Sequence, residues 1–207
     1  MNDKKPESMT TLPLIPIRDL IIFPGMPVPI TIGREKSISA LEKSIQHGSE
    51  LFVVTQKDSS ALTLERKDVY DIGTVVSLLQ IARSTINGCH VLLQGKYRAK
   101  IKNFRSESDC YFSDVEKCDD ILDNAIEIEA SMLSVNKKIE QYAKSNQYIH
   151  SDALEGISLI KDPGFFADYI ASLLRLQIHD QQEILNTFNV NVRLKILLGY
   201  LQKNTPF

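Results

Sequence analysis

Two periodicities divide this chain. Up to Val115, apolar residues come in short runs or at every second position; from Asp119 onward they recur at steps of four and three. The first pattern predicts strands and the second predicts helices with one apolar face. Leu12, Leu14, Ile15 and Ile17 form the first strand signal, and Pro13 and Pro16 within it place that strand at an edge or a bulge, because proline cannot donate to a ladder. Phe23-Pro24-Gly25 is a turn signal, since proline presets φ and glycine accepts the positive φ that other residues resist. Val28, Ile30 and Ile32 then alternate with Pro27, Pro29 and Thr31, the pattern of a half-buried strand. Gly33 ends it. Arg34-Glu35-Lys36-Ser37 opens a helix whose apolar face reads as Ile38, Leu41 and Ile45, with Glu35 in the first turn suiting the helix dipole and Gly48 as the C-cap.

The run Leu51–Thr55 predicts a well-buried strand, and the polar stretch Gln56–Asp71 a surface loop. Ile72 to Ile81 and Val91 to Leu93 flank Asn87-Gly88, a strong hairpin signal. Gly95 marks a bulge, Lys96 to Phe104 resumes the strand, and Tyr111–Val115 is the last one. The pattern changes at Asp119-Asp120. Ile121, Ala125, Ile128, Met132, Val135, Ile139 and Tyr142 form one stripe on a long helix ending near Lys144, with Asp119, Asp120 and Asp123 at its start. Ser145 to Ser151 breaks it. Asp162-Pro163 starts a second helix as N-cap and first helical residue, with Phe166, Tyr169, Ile170 and Leu173 on its face. Asp180 and Glu183 read as a capping box, and Val190, Leu194, Leu197, Leu198 and Leu201 as the final stripe. Strands first and helices second predict an α+β chain: a flexible leader over 1–11, a β-rich lobe over 12–118 and a helical lobe over 119–207.

Composition narrows the function classes. The net charge of −2 argues against a dominant polyanion-binding role. Cys89, Cys110 and Cys118 are odd in number and form no Cys-x-x-Cys pair, so free thiols in a reducing cytoplasm are expected. The apolar runs are shorter than the roughly 18 residues a membrane span needs, and the N-terminus has no apolar signal core. No Gly-x-x-x-x-Gly-Lys-Ser/Thr loop is present to cradle a nucleotide phosphate. Cys89 and His90 are strand neighbours on opposite faces and cannot act as a dyad, and His47, His150 and His179 lack ligand spacing. No catalytic, cofactor-binding or metal-ligating residue is therefore assigned.

Two groups of residues remain as candidates for contact. Lys96, Arg98, Lys100 and Lys102 alternate along one strand and share a face, either a cationic stripe for phosphates or acidic peptide, or a solvated face that guards against edge pairing; the solvated face is preferred. Phe23 and Met26 in the turn, with Arg34, Glu35 and Lys36 at the helix start, could form an adaptable protein-contact tip. The competing reading has Phe23 plugging the barrel and Met26 filling a gap.

The stretch Leu12–Ser37, with its proline-punctuated Leu and Ile, Arg18-Asp19, Phe23-Pro24-Gly25, Val28-Pro29-Ile30 and Gly33-Arg34-Glu35-Lys36-Ser37, closely resembles the opening of the amino-terminal domain of the Lon ATP-dependent protease family. Gly95 to Ile101 resembles that family's Gly-x-x-Arg-Ala-x-Ile, and the likeness returns at Asp162-Pro163, Ala167-Asp168 and Asn189-Val190. The resemblance implies a PUA-like pseudo-barrel followed by a helical bundle. It implies a domain that engages unfolded or tagged protein substrates and helps organise a homo-oligomer, a hexamer in the full-length family. ATP and Mg are expected only in an ATPase module, and the Ser-Lys peptidase lies further along the family's chain. Because the sequence stops at Phe207, it reads as an excised domain or a stand-alone relative. The alternative reading is a stand-alone PUA-like module that binds RNA or an adaptor.

Overall fold

The computed structural model describes residues 9–46, 48–61, 63–84, 88–146 and 149–203. The chain divides into two compact units, Met1–Cys118 and Asp119–Phe207. Residues 1–8 of the expected leader lie outside the described residues, whereas Met9, Thr10 and Thr11 already belong to the first strand.

In the first unit the elements run β1 (Met9–Ile17), β2 (Pro27–Ile32), α1 (Glu35–Gln46), β3 (Glu50–Thr55), β4 (Ile72–Ser84), β5 (Gly88–Ser106) and β6 (Tyr111–Cys118). The strand order is β2-β5-β4-β3-β1-β6, and β6 also pairs with β5. That extra pairing closes five strands into a barrel and leaves β2 as an appended edge. Closure is possible because β5 is 19 residues long. Its first part pairs with β2 and β4, and its second part with β4 and β6.

The sequence places β1 at an edge or a bulge, but it sits inside the sheet, and the way it is paired explains how its prolines are tolerated. β1 pairs with β6 over Met9–Leu14 and with β3 over Leu14–Ile17. Pro13 and Pro16 therefore each lie in a half-strand paired on one side only. β2, which carries Pro27 and Pro29, is the edge strand. Both faces of β1 and β3 are buried. Ile15, Ile17, Leu51 and Val53 pack with Ala40 and Leu41 of α1, while Leu12, Leu14, Phe52 and Val54 enter a second cluster with Val75, Ala99 and Val115. Two-sided burial is why these strands read as continuous apolar runs.

Two local expectations change. The inward face of α1 is Ser37, Ala40, Leu41 and Ser44, and Ile45 is 44% exposed. Ser44 stays inside because its hydroxyl donates to Leu41 O at 2.7 Å. The stretch Gln56–Asp71 is not wholly a surface loop: Leu64 and Val69 are buried in the second cluster. Gly48 does end α1, with φ of 106° and Ser49 N donating to Ser44 O, the six-residue closure of a Schellman motif. The expected hairpin between β4 and β5 forms, with Ser84 opposite Gly88 and Arg83 opposite Cys89, so Gly88 belongs to the strand; Asn87 lies outside the described residues.

The second unit holds α2 (Ala125–Ser145), α3 (Ser151–Leu159), α4 (Pro163–Leu173), α5 (Ile178–Asn186) and α6 (Val190–Lys203). Asn124 caps α2, so the helix starts later than the stripe suggested, and Ile121 instead bridges to Asn189. Asp162 caps α4 by accepting from Phe165 N at 2.6 Å, with Pro163 in the first turn, as expected. The helix α3 was not anticipated. Asp180 lies inside α5 rather than capping it; Gln177 is at the cap position and makes no side-chain bond. α6 packs on α2, α4 and α5 through Val190, Leu194, Leu197 and Leu201.

Candidate functional site

The segment that leaves β1 builds one wall of a cleft. Asp19, at φ 51°, bends the chain away from the sheet. Thr55 Oγ1 then donates to Leu20 O at 2.6 Å, and Thr74 Oγ1 to Ile22 O at 2.5 Å. Both threonines are buried, so the segment is pinned from inside the barrel. Beyond it, Phe23 O accepts from Met26 N and Gly25 has φ of 81°, a turn with Pro24 and Gly25 at its centre. That turn docks on β5, where Gly25 N donates to Gly95 O and Gly95 N to Met26 O. The ladder slips here, with Val75 opposite Tyr97 and Val76 opposite Gly95, so the bulge expected at Gly95 is present and Lys96 is its extra residue.

Between this segment, β2 and the start of α1 lies a cleft of about 430 Å³. Ile17, Leu20, Ile30 and Ile32 supply its apolar surface, and Arg18, Arg34 and Ser37 its polar groups. Arg34 is half-buried. Its Nη1 donates to Gln56 Oε1 at 2.6 Å and its Nη2 to Ala61 O at 3.3 Å. Arg18 is exposed, and its Nη2 reaches the same Ala61 oxygen at 3.4 Å. Partial burial, and then the neighbouring Arg18 charge, hold the Arg34 pKa below its ordinary value.

The expected contact residues separate. Phe23 is 1% exposed and Met26 is buried, so there is no apolar tip: the plug reading replaces the contact reading for both. Arg34 faces the cleft, while Glu35 next to it is exposed. Lys36 turns the other way, donating to Glu107 O at 2.6 Å and Ser106 Oγ at 3.2 Å, above the Tyr111 ring. Arg18, Leu20 and Ile30 were not singled out from the sequence. The available signal is a pair of arginines, one just after each of the first two strands.

The cationic stripe does not survive. Arg98 is 3% exposed. Lys96 pairs with Glu50, and Lys102 with Glu116. The reason is the ladder itself: it slips at Lys96 and again at Lys102, so strict alternation fails along β5. Lys100 is exposed. Cys89 is buried and His90 is exposed, bonded to Thr31 Oγ1 at 3.0 Å, in line with their expected opposite faces. Among the described residues no three His, Cys, Asp or Glu side chains gather to hold a metal ion. No described helix is long and apolar enough to cross a membrane.

Comparison with known proteins adds the remaining observation. Residues 11–203 match the model of the ATP-dependent protease La (LON) substrate-binding domain. The chain is 33% identical over 191 residues to Lon protease 1 of Syntrophobacter fumaroxidans, covering 92% of this chain and 23% of that protein. It is 35% identical over 190 residues to the Lon protease of Brevibacillus choshinensis, covering 92% of this chain and 24% of that protein. It thus spans about a quarter of the length of these relatives. Among solved structures it is similar to the N-terminal domain of a Mycobacterium avium complex Lon protease, with a TM-score of 0.77, 21% identity, and coverage of 93% of this chain and 98% of that one. A Lon N-terminal domain protein from Xanthomonas campestris gives a TM-score of 0.63 at 17% identity, over 92% of this chain and 98% of that one. At these identities the structural likeness speaks for the fold.

Proposed function

This chain belongs to the Lon protease substrate-binding domain family, and from that premise we propose that it recognises substrate proteins for a Lon-type ATP-dependent protease in the cytoplasm. The match over residues 11–203 carries this reading. The substrates in it are unfolded or tagged proteins, and the domain also helps to organise a homo-oligomer. In this reading the domain itself uses no cofactor and cleaves nothing, and ATP, Mg and peptide hydrolysis belong to the ATPase and peptidase modules of the Lon family.

The cleft supports the same reading on physical grounds. Its volume is enough for a few residues of extended chain and too small for a folded surface. Burying roughly 200 Å² of apolar surface there would yield about 5 kcal/mol before ordering costs, so one domain binds weakly. Several copies held together multiply that affinity through effective concentration.

Fluorescence anisotropy tests the proposal. The chain is titrated into a labelled, permanently unfolded protein, into the folded form of the same protein, and into single-stranded RNA, each at low and high salt. Preference for the unfolded protein that persists in salt is the expected result. Binding confined to RNA and abolished by salt would replace the proposal with a nucleic-acid module. Equal affinities for monomeric and artificially multimerised domain would remove the avidity part of it.

A further inference from the structure

We propose that the Arg18–Arg34 cleft selects extended peptide segments in which an acidic side chain sits beside apolar ones, the carboxylate bridging the two guanidiniums. This deepens the substrate-recognition reading and rests on it.

Both guanidiniums are gathered at one point by a neutral acceptor. The Nη2 atoms of Arg18 and Arg34 share Ala61 O, and the other bond of Arg34 goes to the amide of Gln56. Among the described residues neither arginine has a carboxylate partner, although Asp19 and Glu35 follow them directly in sequence. Two like charges are thus held together without compensation, at the mouth of an apolar cleft where water screens them less than at an open surface. An incoming carboxylate relieves that repulsion and gains charge-assisted bonds from two planar forks.

The rest of the lining sets the other requirements. Ile17, Leu20 and Ile30 offer apolar contact, so an isolated anion fills only part of the cleft. The lining contains no aromatic or histidine side chain on which a base could stack, which favours peptide over nucleic acid. Pro16 of β1, with Pro27 and Pro29 of β2, removes N–H donors from the strands that border the cleft. A continuous added ladder is therefore interrupted, and side chains rather than backbone pairing set the preference.

The experiment uses this chain and three labelled peptides of the same apolar sequence: one with a central Glu and an amidated C-terminus, the same with Gln in place of Glu, and the Gln peptide with a free C-terminal acid. The amidated Glu peptide should bind about tenfold more tightly than its amide twin, the ratio expected for one charge-assisted contact. That ratio should shrink with salt. Arg18→Gln should reduce the Glu-to-Gln affinity ratio severalfold, the ratio being taken within each protein so that any general change in cleft binding cancels. Arg18 is exposed, so the variant should fold; the wild-type peptide ratio stands independently of it. Equal binding of Glu and Gln peptides, or insensitivity to Arg18→Gln, overturns the proposal. Tight binding of the free-acid Gln peptide alone moves the carboxylate to the chain terminus and overturns the side-chain assignment. Binding of unfolded protein without a Glu preference sinks this inference and leaves the substrate-recognition reading intact, whereas a Glu preference without binding of unfolded protein does the reverse.

Discussion

Arg193 on α6 has no exposed surface, and its Nη1 lies 3.2 Å from Oδ1 of Asp168 on α4. The same guanidinium holds Asp120, just ahead of α2, through Nη2 at 2.5 Å, and its Nε donates to Thr187 O at 2.9 Å. One side chain thus ties four parts of the second unit together. Removing Asp168 leaves the buried guanidinium with Asp120 as its one remaining carboxylate among the contacts above, and removing Arg193 strips two carboxylates of their shared cation. Asp168→Asn should cost about 3 kcal/mol, and Arg193→Met somewhat more, as seen in urea unfolding. Replacing Arg193, Asp168 and Asp120 together with apolar residues should recover much of the loss; a triple variant as unstable as the single ones would show that the pair gives net stability rather than mutual neutralisation.

This network shows where the sequence stopped being legible. The α4 cap at Asp162-Pro163 and the α6 stripe were readable because each rests on neighbours within one or two turns. Asp120 was assigned to a helix dipole because nothing near it in sequence points to Arg193, 73 positions away. On the β side the alternation of β2 was legible, being local. The solvated face read from Lys96 to Lys102 fails at the buried Arg98, because bulges at Lys96 and Lys102 depend on how β4 and β6 pair with β5. The pairing of Arg34 with Arg18 is illegible for the same reason: the two meet through Ala61, in a loop after β3.

Gly95 separates steric from torsional need for glycine. A Cβ there would fall far inside contact distance of Phe23 O and 3.0 Å from its carbonyl carbon, both backbone atoms that cannot swing aside. Gly48 has φ of 106° but nothing within 4 Å of a Cβ. Gly95→Ala should therefore lose about 3 kcal/mol by forcing the Phe23–Met26 turn off β5, whereas Gly48→Ala should lose about 1 kcal/mol. Thermal melts of the two variants make the comparison. Similar losses would mean that the turn moves freely and does not fix the cleft wall.

Phe23 distinguishes a packing residue from a contact residue. Being buried, Phe23→Ala should cost about 3–5 kcal/mol in stability. At a temperature where the variant remains folded, its affinity for an unfolded protein should stay within about twofold of the parent, on the order of 0.4 kcal/mol. A large loss of affinity with unchanged stability would restore the contact reading.

Asp114 gives the first unit an acid-sensitive tie. Its carboxylate accepts from Thr11 Oγ1 at 2.6 Å on β1, and from Asn103 Nδ2 at 3.0 Å and Arg105 Nη1 at 3.1 Å on β5. The Thr11 and Asn103 bonds, and then the Arg105 charge, hold its pKa below the usual carboxylate range. A carboxyl with a depressed folded pKa stabilises the fold above its unfolded pKa, near 3.9, and loses that contribution as pH falls through the folded value. Asp114→Asn keeps the shape but not the charge. It should be less stable than the parent by about 1 kcal/mol at neutral pH, a modest figure because solvent screens a partly exposed site. The gap should close as pH drops below about 4, since the parent protonates there and the amide does not. Urea midpoints of both proteins at constant ionic strength, from neutral pH down to about pH 2, read the difference directly, and the shifts of every other carboxylate cancel between them. A gap that stays constant down to the lowest pH would assign the bonds at Asp114 to geometry rather than charge.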